Sequence, residues 1–258
     1  MQSYGGKILM KAIVTEGLTK RYKDKTAVDS LDLSIDEGEL FALLGVNGAG
    51  KTTTIRMLTC LSTPSAGTAR VLGHDVKAEP DAVKELVGIS TQDTAVAENL
   101  TVYENLKFMA GIYAADDKGT KEAGEKTTAR IEEIIGMFSL DEVRNKRAKT
   151  LSGGWKRKLS IAMALIGEPK VLFLDEPTLG LDVLARRELW KIIEDLKSKV
   201  TIILTTHYME EAEALADRIA VLINGKVAKT GTLAELEEQT GKKGLEEVFV
   251  EIAAGTGR

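Results

Sequence analysis

The sequence predicts an α/β protein: a mostly parallel sheet flanked by helices, with an antiparallel β subdomain and an inserted α-helical subdomain. Three observations predict it. Short apolar runs (Leu40–Leu44, Val171–Leu174 and Ile202–Leu204) alternate with segments of helical period, as parallel strands buried on both faces do. Leu31, Leu33 and Ile35 alternate strictly with Ser30, Asp32, Ser34 and Asp36, the mark of a half-buried antiparallel strand. From residue 98 to about residue 148 the chain is strongly charged, helical in period and free of strand signal.

Taken in order, residues 1–9 read as a leader or tag-like segment, with a natural start at Met10. Ala12–Thr15 and Leu31–Ile35 supply the antiparallel strands, and Tyr22 lies between them in the basic turn Lys20–Lys25. An aromatic there is either a stacking surface for a base or a plain loop residue. Leu40–Leu44 runs into Gly45-Val46-Asn47-Gly48-Ala49-Gly50-Lys51-Thr52-Thr53, which fits G-x-x-x-x-G-K-[ST], the phosphate-binding P-loop. Its glycines let backbone N–H groups turn toward an anion, and the helix expected from Lys51 adds unpaired N–H groups and the positive dipole end. Lys51 is expected to reach the β- and γ-phosphates, and the Thr52 hydroxyl to bind Mg²⁺. Cys60, near that helix's end, reads as a buried structural thiol. A short strand is expected around residues 70–73, and Val87–Gln92 reads as a strand ending at a glutamine.

Within the helical stretch Met109, Met137 and Phe138 read as core, and residues 118–126 as a polar, glycine-containing connection. Leu151-Ser152-Gly153-Gly154-Trp155 precedes a helix with Leu159, Met163 and Ile166 on one face, stopped at Gly167-Glu168-Pro169. Val171–Leu174 ends in two carboxylates, Asp175 and Glu176. Asp182 to about Lys197 is an amphipathic helix with Leu189, Ile193 and Leu196 inward. A third buried strand, Thr201–Thr206, ends at His207; an acidic helix over 210–217 and an Asn224-Gly225 hairpin turn follow.

A chain of 258 residues can bury a large core in one or two domains. Its single cysteine excludes a disulfide framework and a thiolate metal site. The net charge of −4 argues against a nucleic-acid partner. No apolar run approaches the roughly 20 residues of a bilayer span, so a cytosolic chain is expected, and any membrane role needs a partner to supply the span.

Ligands of an open parallel sheet bind beyond the carboxyl ends of its strands, so the P-loop, Asp175-Glu176 and His207 are expected to converge. The set suits phosphoryl transfer to water. Asp175 is placed to hold Mg²⁺ through water, and His207 to donate to the γ-phosphate. Glu176 is placed to take the proton of the attacking water, a role typically worth about 10²–10⁴ in rate. Ser152-Gly153-Gly154 offers a second anion site at a helix N-terminus; the same residues also read as an N-cap serine on a flexible turn.

From about Met10 to Thr232 these motifs, in this order, resemble the ATP-binding subunits of ABC transporters. The resemblance implies a P-loop NTPase core over residues 10–232, its inserted helical signature subdomain at about 93–165, and a C-terminal extension over 233–258. It implies that Tyr22 is the A-loop aromatic that stacks on adenine and that Gly45–Thr53 is Walker A. Gln92 of the Q-loop would join Thr52 and Asp175 at the metal. Leu151–Gly154 is the signature, Val171–Asp175 Walker B with Glu176 catalytic, Gly180-Leu181-Asp182 the D-loop and His207 the switch histidine. ATP and Mg²⁺ are the implied cofactors. In such proteins two copies pack head to tail, so Ser152, Gly153 and Gly154 would bind the partner's ATP in trans, with Asp182 near the dimer seam. The other implied partner is an integral membrane permease, which places the chain in the cytoplasm against the inner face of the membrane.

Two residues depart from the family pattern. Val46 stands where proline is commonest, and Trp155 replaces the usual glutamine, leaving its contact with the facing subunit unspecified. Asn99–Leu106, Leu179–Asp182 and Leu245–Val250 look like the drug- and sodium-exporting branch, in which the permease is a separate chain. Permease docking would use a groove near Gln92 and the first helix of the insert; Leu100, Val102 and Tyr103 either line it or pack inside the insert. The alternative is a soluble ABC ATPase of translation or DNA repair. Such proteins carry tandem cassettes or long coiled coils, and neither a repeat nor sustained heptads occurs here.

Overall fold

The computed structural model describes residues 10–113, 121–197 and 199–255. The expected leader at residues 1–9 lies outside them. The chain opens with an antiparallel pair, β1 (Lys11–Tyr22) and β2 (Lys25–Asp36), then crosses to β3 (Leu40–Leu44) and helix α1 (Lys51–Leu58). β4 (Ala66–Val71) and β5 (His74–Asp75) return to the first pair, and α2 (Pro80–Leu86) leads to β6 (Val87–Ser90). Helices α3 (Val102–Tyr113), α4 (Lys121–Met137) and α5 (Gly153–Leu165) form the insert. β7 (Val171–Asp175), α6 (Val183–Leu196), β8 (Thr201–Thr206), α7 (Met209–Leu215), β9 (Arg218–Ile223) and β10 (Lys226–Gly231) complete the core, and α8 (Leu233–Thr240) and α9 (Leu245–Gly255) follow.

One sheet has the order β2-β1-β4-β5 and is antiparallel throughout. The other has the order β10-β9-β3-β8-β7-β6 and is parallel except for the β9–β10 hairpin. That hairpin turns through Asn224 (φ 50°) and Gly225 (φ 80°), the left-handed pair a two-residue turn of type I′ requires. Every residue of β3, β7 and β8 is buried, as an unbroken apolar run covered on both faces must be. Their registers, Leu44 opposite Thr206 and Asp175 opposite Thr205, bring the three strand ends level.

Alternate residues of these strands serve opposite faces. On one face Phe41, Phe173 and Ile203 pack with Ile55, Met57 and Leu58 of α1, which meets Leu18, Leu31, Leu33 and Ile35 on its other side. The P-loop helix is thus held between the two sheets. On the opposite face Leu172, Leu174, Ile202 and Leu204 pack with Leu189, Ile193 and Leu196 of α6 and with Leu106, Ile134, Phe138 and Leu159 of the insert. Leu236, Leu245, Val248 and Ile252 of α8 and α9 pack on Ala42, Leu44, Ile219 and Val221, so the C-terminal helices share the core. No helix among the described residues is long and apolar enough to cross a membrane.

Four local expectations are corrected. Residues 121–126 are the first turns of α4 rather than a connection, with Glu122 and Lys126 paired one turn apart (3.4 Å); residues 118–120 lie outside the described residues. The short strand expected around residues 70–73 is β4, which spans residues 66–71, and Leu72 and Gly73 turn out of it with positive φ. Cys60 is half-buried, in a left-handed turn after α1, with its Sγ donating to Val76 O at 3.4 Å. Met109 and Met137 are half-buried against the core; only Phe138 is fully enclosed. Val102 packs inside the insert with no exposure, while Phe108, Ile112 and Tyr113 carry the exposed apolar surface of α3.

Candidate nucleotide site

The level strand ends open into a cleft of about 490 Å³ lined by Tyr22, Lys25, the loop 47–53, Gln92, Glu176 and His207. Residues distant in sequence are therefore brought together as the fold class demanded. Gly50 caps α1 at φ 105°, and a Cβ on it would meet Ala27 O at 2.6 Å, so conformation and space both require glycine. Among the described residues nothing accepts from the backbone N–H groups of Gly48, Gly50, Lys51, Thr52 or Thr53. A row of unpaired N–H donors around a helix N-terminus is a seat for an anion.

Lys51 is 5% exposed and its Nζ is folded back onto the loop, donating to Gly45 O (2.7 Å) and Val46 O (3.3 Å) and pairing with Glu176 Oε1 (3.2 Å). Glu176 Oε2 accepts from His207 Nδ1 at 3.1 Å; a carboxylate only accepts, so Nδ1 carries the proton. Glu176 sits at φ 48°, a backbone conformation costly for a residue with a Cβ. It is held there by its N–H, which donates to Thr205 O and Thr205 Oγ1, both at 3.1 Å. Thr205 Oγ1 in turn donates to Asp175 Oδ1 at 2.5 Å, and Thr52 Oγ1 reaches the same oxygen at 3.1 Å.

Tyr22 is the last residue of β1 rather than part of a turn, 46% exposed at the cleft rim, with Lys20 Nζ 5.1 Å from its ring centroid. Asp182 caps α6, its carboxylate accepting from Leu184 N (2.9 Å) and Ala185 N (3.0 Å). Beside it Val183 and Leu184 are exposed.

Ser152, Gly153 and Gly154 are not brought into this cleft. They open α5 elsewhere on the surface, Ser152 and Gly153 exposed, and Ser152 holds the N-cap position while its hydroxyl makes no capping hydrogen bond. A Cβ on Gly153 would meet nothing within 4 Å. Trp155 turns inward: its ring packs against the insert's core with Lys158 Nζ 4.6 Å from its centroid, and Lys158 pairs with Glu188 of α6 at 3.0 Å.

Three residues escaped the sequence reading. Thr205 bonds the Asp175 carboxylate and the backbone N–H of Glu176. Arg157 is buried and donates to Thr91 O (2.7 Å) and Gln92 O (2.6 Å); burial pushes its guanidinium below the usual value, opposed mainly by Asp175. Glu211, in the helix after His207, is fully enclosed and accepts from Trp190 Nε1 at 3.1 Å. Burial pushes its carboxyl up, with Thr206, Thr178, Trp190 and Arg186 pulling it back. The only sequence signal for these residues was their type: a threonine in an apolar run, an arginine and a glutamate in charged helices.

The sequence profile described as ABC transporter matches residues 28–179. The chain belongs to the ABC transporter family. It is 44% identical over 236 residues to the daunorubicin/doxorubicin resistance ATP-binding protein DrrA of Streptomyces peucetius, covering 91% of this chain and 69% of that one. It is 42% identical to the ABC transporter A family member 9 of Dictyostelium discoideum, over 89% of this chain but 26% of that much longer protein. Among solved structures, a dimeric post-hydrolysis state of the ATP-binding cassette MJ0796 bound to ADP and Pi superposes with a TM-score of 0.76 at 25% identity, covering 86% of this chain and 98% of that one. This chain is thus an ABC ATP-binding subunit with ATPase chemistry.

Proposed function

We propose that two copies of this chain close head to tail on two ATP molecules and so drive a separate membrane permease that exports a drug-like or ionic cargo. One observation carries the reading: the signature turn presents an unspent hydroxyl and a helix N-terminus outward, away from its own cleft. An anion seat that its own nucleotide does not meet suits the nucleotide of a second copy. The dimeric MJ0796 cassette supports this, and similarity to DrrA supports drug export. The chain would then work on the cytoplasmic face of the membrane, held there by the permease.

In the cleft Tyr22 stacks on adenine, and the loop from Gly45 through Val46, Asn47, Gly48, Ala49 and Gly50 to Thr53 wraps the phosphates. Lys51 exchanges Glu176 for phosphate oxygens, which frees Glu176 to take a proton from water. His207 gives its N–H to the γ-phosphate once its ring leaves Glu176. The residues fit Mg²⁺: Thr52 Oγ1 and Asp175 Oδ1 are hard oxygen donors brought within 3.1 Å of each other, and Thr52 would hold the ion directly while Asp175 held it through water. Gln92, which lines the same cleft, would complete that set. When bound, the ion would neutralise charge on the β- and γ-phosphates.

Co-purification tests the transport reading. Detergent-solubilised membranes should yield this chain bound to an integral membrane permease; stable association with ribosomes or DNA instead would establish the soluble alternative.

A further inference from the structure

Helix α5, which begins with the signature turn, is tied to β6 and the segment after it at three successive levels. At Gly88 the backbones touch: a Cβ there would lie 2.3 Å from Ala164 O. One turn back along α5, the buried hydroxyls of Ser160 and Ser90 are 2.9 Å apart. Another turn back, Arg157 grips two consecutive carbonyls, Thr91 O at 2.7 Å and Gln92 O at 2.6 Å.

Arg157 is 5% exposed, and no carboxylate among the described residues forms an ion pair with it. A cation is rarely buried without a paired anion, so the hydrogen bonds that keep it there matter more than usual. Those bonds end on the segment that presents Gln92 to the nucleotide cleft. Ser152 lies five residues before Arg157 on the same helix, about 7.5 Å along its axis.

We propose that Arg157 is a positioning residue whose two-carbonyl grip joins the Gln92 loop and the Ser152 turn into one mechanical unit. Nucleotide engaged by Gln92 in one subunit then sets how that subunit offers Ser152 to the nucleotide of the other. The two sites communicate through a single guanidinium in each chain. The within-chain link rests on the assignment of the cleft to ATP, and only its consequence for assembly rests on the head-to-tail reading.

The test uses the full chain carrying Glu176→Gln, to prevent turnover, with Arg157→Met or Arg157→Lys added. Hydrogen exchange is followed with and without Mg·ATP, at dilution where the chain is monomeric. With Arg157 present, ATP should slow exchange in residues 45–54, 90–94 and 152–157 together. Arg157→Met should keep the slowing in 45–54 and lose it in 152–157, which a merely less stable fold would not do. If Arg157→Met does not fold, Arg157→Lys, able to hold one carbonyl at a time, should show partial loss. Undiminished slowing in 152–157 in a folded variant overturns the proposal. At higher concentration Arg157→Met should also weaken the ATP-dependent dimer by about tenfold or more. If the Glu176→Gln parent forms no dimer, the head-to-tail reading fails while the exchange result still decides the grip.

Discussion

On the proposed reading, Glu176→Gln should separate binding from chemistry in this site. The substitution keeps the side chain's size and removes one charge from the buried group Lys51–Glu176–His207. The Lys51–Glu176 separation of 3.2 Å corresponds to a gross attraction of about 5 kcal/mol at an effective dielectric of about 20. Most of that offsets the desolvation of two enclosed charges, so the net hold on Lys51 is on the order of 1 kcal/mol. Releasing it leaves the lysine freer to meet phosphate and removes a negative charge beside the γ-phosphate. ATP affinity should therefore stay level or rise by up to about tenfold. Turnover should fall by about 10²–10⁴, because the water loses its base. Phosphate release under single-turnover conditions and equilibrium binding of ATP read the two quantities separately, and gel filtration with ATP should reveal an accumulated dimer. Hydrolysis within tenfold of the parent would remove Glu176 from the base role. A large loss of ATP affinity would show that its contact with Lys51 supports the loop rather than competing with phosphate.

Thr205→Val keeps shape but deletes the hydroxyl that bridges Asp175 and Glu176 N; the cost should be about 1–3 kcal/mol, seen as a lower Tm and reduced ATPase. An unchanged Tm with unchanged activity would show the bridge to be idle. Glu211 gives a pH signature. Its raised folded pKa means that its ionisation costs nothing below its ordinary value of 4.5 and destabilises the fold as pH rises through the folded value. Glu211→Gln should raise Tm near pH 8, with the difference closing as pH falls toward 4.5. A constant difference across that range would mean that Glu211 does not titrate with folding.

The parts of the site that were legible are those whose chemistry is contiguous. Gly45–Thr53, Asp175-Glu176 and His207 each sit where an apolar run stops, and strand burial plus the strand-end rule suffices to bring them together. Asp182, Leu189, Ile193 and Leu196 were legible for the same reason: one cap and one helical face. Arg157 was not, because Lys156-Arg157-Lys158 has the look of a solvated face, and its burial depends on carbonyls 65 and 66 residues away. Thr205 reads as strand filler until β7 is placed beside β8. Glu211 lies in an acidic helix whose inward side is decided by Trp190, a residue of another helix. The start of α4 was hidden by Gly124, which reads as a break yet is helical in an exposed first stretch beside the Glu122–Lys126 pair. In each case the missing information was a partner that only tertiary structure supplies.

Mixing two inactive variants tests the composite site most directly. Lys51→Ala disables the phosphate loop of its own chain, and Ser152→Arg disables the signature turn while leaving monomer ATP affinity near the parental value. Each alone should have no working site. In an equal mixture the mixed dimer holds one intact site, the loop of one chain facing the turn of the other, so roughly a quarter of the parental sites should recover ATPase activity. No recovery, with mixed dimers present, would mean that loop and turn act within one chain, and the head-to-tail account would be wrong.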